Sequence, residues 1–206
     1  MTFNKVLILG ATLLTGSVMA GCSKATDTST PATKQVSGPL KKVGTYTKDH
    51  DSGKITLLAI KNYHHRSVKT KSATYYFKDA KLLKIETTKP SQREADANNF
   101  GKTLSATYYE YQLEYTLQNN SHQRVTSNGV ELITPQGTQQ LSNRGAIDGL
   151  VDEKLLSDHK KNGILQAVAQ KNDINQLSKY RLVSAELTKD SGNHATVDVP
   201  TTISLK

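Results

Sequence analysis

Hydrophobic and polar residues alternate along much of this chain, which is the pattern of a β-strand with one buried face. The clearest example is the segment 109–118, in which every odd-numbered position is Tyr or Leu and every even-numbered position is Glu, Gln or Thr. A helix would spread these apolar side chains around its circumference, whereas successive strand residues point to opposite faces. The segment therefore predicts a strand that buries its odd-numbered side chains.

Shorter alternating runs predict further strands, at residues 54–61, 74–87, 130–134, 163–169, 180–187, 195–199 and 202–205. Gly, Pro, Asn, Asp and Ser, the residues that form turns, separate these runs. Within 74–87 the alternation breaks near Asp79 and Ala80. A break of this kind indicates a β-bulge.

Two segments have a helical pattern instead. Ser91 and Glu94 follow Pro90 with the spacing of a capping box, so we expect a short helix over residues 92–98. A second set of apolar residues has helical spacing and predicts a helical crossover, namely Ile147, Leu150, Val151 and Leu155. Many short strands with one or two short helices predict an all-β fold, and we expect an antiparallel β-sandwich formed by a single domain over residues 43–206.

The N-terminal segment has the pattern of an export signal. Lys5 precedes an uncharged, mostly apolar run over residues 6–19, which is too short to cross a bilayer. The following Ala20, Gly21 and Cys22 resemble the lipobox of bacterial lipoproteins, in which the cysteine receives a diacylglyceryl group and the peptide is cut before it. We therefore expect a lipoprotein signal peptide over residues 1–21 and a lipid anchor at Cys22. The alternative is an ordinary secretory signal beside an incidental cysteine.

The segment after the signal is predicted to be a tether. Residues 22–42 are rich in Ser, Thr, Ala, Lys and Pro and poor in large apolar residues, so they cannot bury enough surface to fold. Such a tether would hold the domain near the extracellular face of the cell membrane. Because Cys22 is the only cysteine in the chain, lipidation leaves no thiol for a disulfide, a metal site or a nucleophile.

The order of the later elements resembles an Ig-like domain family of unassigned function that is common in lipoproteins of Gram-positive bacteria. The resemblance covers residues 74–206 and rests on the runs YYEYQLEYTLQNNSHQRV, SNGVELITPQGTQQL, NGILQAVAQ and YRLVSAEL. Asn119, Gly137 and Gly163 occupy the places of the family's polar turn, its glycine turn and the glycine that opens its next strand. The resemblance implies an immunoglobulin-like β-sandwich on the cell surface and supplies no catalytic residue.

Candidate catalytic and metal-binding motifs are weak. The run from Asp49 to Gly53 has the composition of a calcium loop, but Ile60 stands where that loop needs its glutamate, so a polar turn is favoured. His64 and His65 are adjacent on a predicted strand and would point to opposite faces, which disfavours a shared metal ion. The sequence contains no HExxH, GxSxG or phosphate-binding glycine motif. We therefore expect no enzyme activity, metal or cofactor, although a Ser, Asp and His triad assembled by the fold stays open.

The excess of positive charge lies in the first half of the chain. Residues 34–102 contain 15 Lys and Arg against 6 Asp and Glu, whereas residues 103–206 contain 10 against 11. One interpretation is a solvated surface that keeps the protein soluble. The other is a patch that contacts anionic lipid head groups or a wall polyanion such as teichoic acid. The residues expected to form that patch are Lys61, Arg66, Lys69, Lys71, Lys78, Lys81 and Lys84.

These observations predict a lipid-anchored extracellular module with a non-enzymatic binding role in the bacterial envelope. Its expected partners are the membrane, through Cys22, then an anionic lipid or wall polyanion, and another envelope or host protein. Nucleic acid is excluded for an exported and anchored chain. Two alternatives stay open, an envelope-directed hydrolase and an accessory subunit of a membrane complex. A deep pocket with convergent Asp, Glu, His or Ser would favour the hydrolase, and a flat basic or aromatic sheet face would favour binding.

Overall fold

The structure is a computed structural model that describes residues 34–50 and 53–206. Within these described residues, strands account for 55% and helices for 11%, which confirms the all-β prediction. No helix within the described residues is long and apolar enough to cross a membrane. The predicted signal peptide, Cys22 and the first part of the tether lie outside these residues.

The strands form two sheets. Their bounds are β1 (Lys34–Gln35), β2 (Thr45–Asp49), β3 (Gly53–Lys69), β4 (Ala73–Glu86), β5 (Thr107–Asn119), β6 (Val125–Asn128), β7 (Glu131–Ile133), β8 (Gln139–Ser142), β9 (Gly145–Asp148), β10 (Val151–Leu155), β11 (Lys160–Ala169), β12 (Arg181–Val183), β13 (Leu187–Lys189), β14 (Thr196–Asp198) and β15 (Thr202–Ser204). A helix, α1 (Pro90–Phe100), follows β4, and 3-10 helices cover Lys171–Asn175 and Leu177–Lys179. The larger sheet has the order β1-β2-β3-β4-β5-β11-β9-β8-β7-β12-β15, and the smaller has the order β10-β6-β13-β14.

Three long antiparallel strands, β3, β4 and β5, lie side by side in the larger sheet. The predicted alternation is present in β5, where the side chains at 111, 113, 115 and 117 are buried and those at 112, 114, 116 and 118 are partly exposed. The bulge predicted near Asp79 is confirmed, because the register between β4 and β5 shifts between Phe77 and Asp79. The extra residue allows Phe77 and Ala80 to enter the same core although they are three positions apart.

The long strands contribute to two cores that lie on opposite faces of the larger sheet. The main core lies between the sheets, where side chains of β4 and β5 meet Val125 and Leu187 of the smaller sheet. A second core lies on the opposite face, against α1, and contains Leu40, Leu57, Leu83, Ile85, Phe100, Leu104 and Tyr108. Leu82 and Leu83 are both buried because one enters each core. We call the face toward the main core inner and the face toward α1 outer.

Helix α1 includes the predicted helix but begins in a different way. Lys89 is the N-cap and makes no side-chain capping hydrogen bond, and Pro90 occupies the first helical position. The predicted capping box is therefore wrong, because Ser91 lies inside the helix and the fixed φ of proline begins it. Gly101 adopts a φ of 59° and ends the helix in the left-handed conformation.

The second predicted helix is wrong. Residues 145–148 form β9 and residues 151–155 form β10, and these two strands belong to different sheets. Leu150 and Leu155 enter the main core, whereas Ile147 packs against the second core. Pairing of β9 with β11 and of β10 with β6 overrides the helical spacing of these apolar residues.

The segment predicted as one strand over 180–187 is two strands. β12 belongs to the larger sheet and β13 to the smaller, so the chain crosses between the sheets here. At the crossing, the N–H of Ala185 donates a hydrogen bond to the buried hydroxyl of Tyr75 at 2.9 Å. This bond satisfies the N–H of Ala185, which lies between β12 and β13 and outside the hydrogen-bonding ladders of both sheets.

A buried carboxylate also links the β5 strand to the loops around β9. Asp148 accepts hydrogen bonds from the Tyr115 hydroxyl at 2.8 Å and from the N–H of Val130 at 2.7 Å. Burial raises the pKa of Asp148 to about 6, even though these bonds favour its charged form. Asn119, at the end of β5, is fully buried and donates to the carbonyls of Gln123 and Leu155.

Candidate functional site

The part of the outer face that the second core leaves uncovered is a polar surface. We call it the open outer face, and it consists of Tyr76, Lys78 and Lys81 of β4, Glu114, Thr116 and Gln118 of β5, and Lys160 and Asn162 of β11. These side chains point outward because their alternate neighbours on each strand point toward the main core. All except Lys81 are at least partly exposed.

The bulge at Asp79 brings two lysines to one carboxylate. In a regular strand, Lys78 and Lys81 would point to opposite faces. Here Lys78 Nζ lies 2.6 Å from Glu114 Oε2, and Lys81 Nζ lies 2.9 Å from Glu114 Oε1. Lys81 also lies 3.3 Å from Asp79, and it is only 9% exposed. We call these four residues the ion cluster.

In the ion cluster, two of the lysines that were predicted to form a basic patch are paired with carboxylates. The hydrogen bond and the charge of Glu114 raise the pKa of Lys78. Burial acts to raise the pKa of Glu114, but the hydrogen bonds and the positive charges of Lys78 and Lys81 together outweigh it, so that this pKa is lowered. Two lysines therefore balance two carboxylates at the centre of the face.

Hydrogen-bonding side chains and one aromatic ring form the rest of the open outer face. The Tyr76 hydroxyl donates to Gln118 at 2.8 Å, and the ammonium of Lys160 lies 4.4 Å from the centre of the Tyr76 ring. Thr116 donates to Asn162 at 2.8 Å. The face thus offers a half-buried ring with donors and acceptors on neighbouring strands, a combination that suits hydroxyl-rich ligands.

A cleft of about 450 Å³ lies beside the ion cluster, and the segment 38–40 lines it. Lys81, Gln112 and Glu114 form its polar side, and Leu40 and Leu83 contribute an apolar side. The cleft provides a depression beside the charged groups of the ion cluster.

The other predicted cations do not gather on this face. Lys61 donates to the carbonyl of Leu205 at 3.0 Å, and Arg66 donates to the carbonyl of Lys206. Lys84 lies 2.9 Å from Glu86 on the same strand. Because Ala80 is Lys61's partner in register and enters the main core, Lys61 belongs to the inner face.

Lys69 and Lys71 are exposed at the turn between β3 and β4, and neither forms an ion pair with a described residue. Lys69 pairs in register with Thr74, whose neighbours Ala73 and Tyr75 enter the main core, so Lys69 points to the outer face. Of the seven predicted residues, Lys69 and Lys78 are thus the exposed cations on the outer face, and the exposed Lys71 lies in the turn beside Lys69. Strand register decides this grouping, and it cannot be read from sequence position alone.

The histidines do not form a site in the described part of the chain. All six are exposed, and no group of three His, Asp or Glu side chains there could hold a metal ion. His64 and His65 have φ values of 50° and 57° where the register of β3 shifts. The expected strand geometry for this pair was therefore wrong. Asp51 and Ser52 of the disfavoured calcium motif lie outside the described residues.

Glu110 is a residue that the sequence pattern misplaced. Its position in β5 predicts a solvent-facing side chain, yet it is 5% exposed and accepts a hydrogen bond from Gln166 at 2.8 Å. Burial raises the pKa of Glu110 to about 7; the Gln166 bond opposes this shift, and the charge of Asp96 in α1 adds to it. The period-two pattern places Glu110 on the same face as the other even-numbered residues of β5. It does not indicate that other parts of the chain cover this end of that face.

No protein-family profile matches the sequence, and no curated protein matches it. Among solved structures, the chain is similar to a functionally unknown protein from Listeria monocytogenes EGD-e, with a TM-score of 0.43 and 13% identity over 74% of this chain and 88% of that one. It is also similar to the yjhA protein from Bacillus subtilis, with a TM-score of 0.47 and 16% identity over 68% of this chain and 95% of that one. At this level of similarity, neither structure assigns a function to the chain.

Proposed function

We propose that this chain is a lipid-anchored module of the bacterial cell envelope that binds a partner without catalysing a reaction. In this proposal Cys22 carries the lipid, and the domain is an immunoglobulin-like sandwich at the extracellular face of the membrane. Residues 22–33 form the tether, because residues 34–42 contribute β1 and the buried Leu40 to the domain. The observation that carries the binding role is the open outer face, a polar sheet surface that combines the Tyr76 ring with the ion cluster.

The chemistry of this face supports binding rather than catalysis. A general base needs an acceptor that is free to take a proton, but the carboxylate of Glu114 is held by Lys78 and Lys81. Lys81 is buried and is oriented by two carboxylates, so it too is a structural group rather than a free nucleophile.

The partner that suits this face is an anionic polymer of the envelope with many hydroxyl groups. Tyr76 and the neighbouring polar side chains offer a surface for hydroxyl groups, and Lys69, Lys71 and Lys78 provide exposed positive charge beside it. A wall polyanion such as teichoic acid has both features. A tether of residues 22–33 would keep the face within reach of such a polymer.

Sedimentation of the full-length protein with cell walls that contain teichoic acid tests this proposal. We expect binding that weakens as salt rises, because exposed charges are screened. A triple variant with Lys69→Glu, Lys71→Glu and Lys78→Glu should bind at least about tenfold more weakly, since each nearby cation contributes about 1 kcal/mol. The matched control carries the same charge change at the exposed Lys42, Lys171 and Lys179.

The control separates a specific face from general attraction. Equal losses in the two triple variants would show that net charge alone drives binding, and no binding of the unaltered protein at low salt would contradict the proposal. Anionic and neutral vesicles form a second arm. Binding to anionic vesicles but not to walls would show that the partner is an anionic lipid surface and not a wall polymer.

A further inference from the structure

A small polar cavity lies where α1, the turn between β7 and β8, and the end of β11 meet, apart from the open outer face. Its volume is about 130 Å³, and its polar lining includes Lys102, Gln136, Gln140 and Asp173. We propose that this cavity binds a small molecule that carries a carboxylate next to a hydrogen-bond donor, as an α-amino acid or an α-hydroxy acid does.

Gln140 is the group that points to a ligand. It is 4% exposed, and its Nε2 donates to the carbonyl of Val168 at 2.8 Å, which fixes the orientation of the amide. Its Oε1 is buried and accepts no hydrogen bond from any described residue. A buried acceptor without a donor is destabilising, so a native structure normally supplies a partner. A ligand with an N–H or O–H group in the cavity would supply it.

Lys102 provides positive charge at the same place. Its ammonium forms no hydrogen bond or ion pair with a described residue. A Cβ atom on Gly145 would lie 2.9 Å from Lys102 Nζ and 3.2 Å from Gln140 Cδ, so the two groups converge over this glycine. Their separation is at most the sum of those two distances. A carboxylate bound to Lys102 therefore places a donor on the adjacent carbon within reach of Gln140.

Asp173 forms a fixed wall that limits which ligands fit. It is 1% exposed, and its carboxylate accepts hydrogen bonds from Gln136 at 2.9 Å, from the N–H of Gln170 at 2.9 Å and from the Tyr180 hydroxyl at 2.7 Å. These bonds hold a negative group in the lining. The cavity thus favours a ligand with a single carboxylate, because a second one would be repelled.

Titration of the isotope-labelled full-length protein with four small probes, followed by NMR, tests this site. Glycine and glycolate each carry a carboxylate next to a donor, whereas acetate and methylammonium each carry one of the two groups. We expect glycine or glycolate to shift the amide signals of residues 134–140 and 168–173 in a saturable manner. Acetate and methylammonium should bind at least about tenfold more weakly, since each leaves one group unpaired. The comparison of glycine with glycolate decides between an amino acid and a hydroxy acid.

Variants identify the groups responsible. Lys102→Gln should weaken binding of the better probe by about ten- to a hundredfold, because it removes a charged hydrogen bond at an exposed position, and Lys102→Arg should retain part of the affinity. Lys48→Gln, at an exposed position of β2, is the matched control and should bind as the unaltered protein does. Absence of saturable shifts with both glycine and glycolate, equal affinity for acetate, or unchanged binding by Lys102→Gln would each overturn the proposal. None of these outcomes affects the test of the open outer face, which uses other residues.

Discussion

At the scale of single residues, the buried carboxyl group of Glu110 makes the stability of the protein depend on pH. Its pKa of about 7 lies above the ordinary value of 4.5 because burial disfavours the charged form. Between those two values the folded protein binds more protons at this site than the unfolded chain does. The contribution of Glu110 to stability is therefore fully present below about pH 4.5 and is lost as the pH rises through about 7.

Replacement of this carboxylate by an amide should remove its pH dependence. Glu110→Gln can still accept the hydrogen bond from Gln166 and carries no charge. We expect its free energy of unfolding to exceed that of the unaltered protein by about 1–3 kcal/mol at pH 8 and to match it near pH 4.5. Urea unfolding of both proteins across this range measures the difference. Asp148 titrates in both proteins, so its effect cancels in the difference between their free energies of unfolding. A difference that does not vary with pH would show that Glu110 does not cause the pH dependence.

At the scale of elements, β4 and β5 show what the sequence can predict. The alternation over residues 111–118 of β5 and the bulge near Asp79 are both present, because each depends on neighbours within one strand. The partners of Lys78 and Lys81 were not predictable, since they depend on the register of β4 against β5. The false helix over 147–155 has the same origin: local spacing of apolar residues carries no information about which sheet each residue joins.

Gly163 in β11 offers a test of how closely these elements pack. A Cβ atom at this position would lie 2.7 Å from Tyr115 Cζ and 2.8 Å from Leu150 Cγ, whereas one on Gly149 would meet nothing closer than 3.7 Å. We expect Gly163→Ala to lower the free energy of unfolding by about 1–3 kcal/mol. Gly149→Ala should stay within about 1 kcal/mol of the unaltered protein. Denaturant unfolding of the two variants decides this, and equal stabilities would contradict the packing described here.

At the scale of the whole molecule, the long strands serve two cores on opposite faces, so that one end of the outer face is covered by α1 and the other is open. The sequence predicted the all-β class because alternation and turn residues recur along the chain. It could not predict which end of the outer face is covered, since that depends on where α1 and the segment 38–40 pack. The same uncertainty explains why Glu110 was expected to be exposed and why the seven basic residues were expected to form one patch.

At the scale of the whole molecule, we propose that the protein acts while it is anchored to the membrane through Cys22. Fractionation of bacteria that express the unaltered chain or Cys22→Ala tests it most directly, with mass spectrometry of the mature N-terminus. We expect the unaltered protein in the membrane fraction with a diacylated cysteine, because two acyl chains hold a protein stably where one holds it marginally. Cys22→Ala should be released into the medium or remain unprocessed. A Cys22→Ala protein that stays in the membrane fraction at the processed mass would contradict the account.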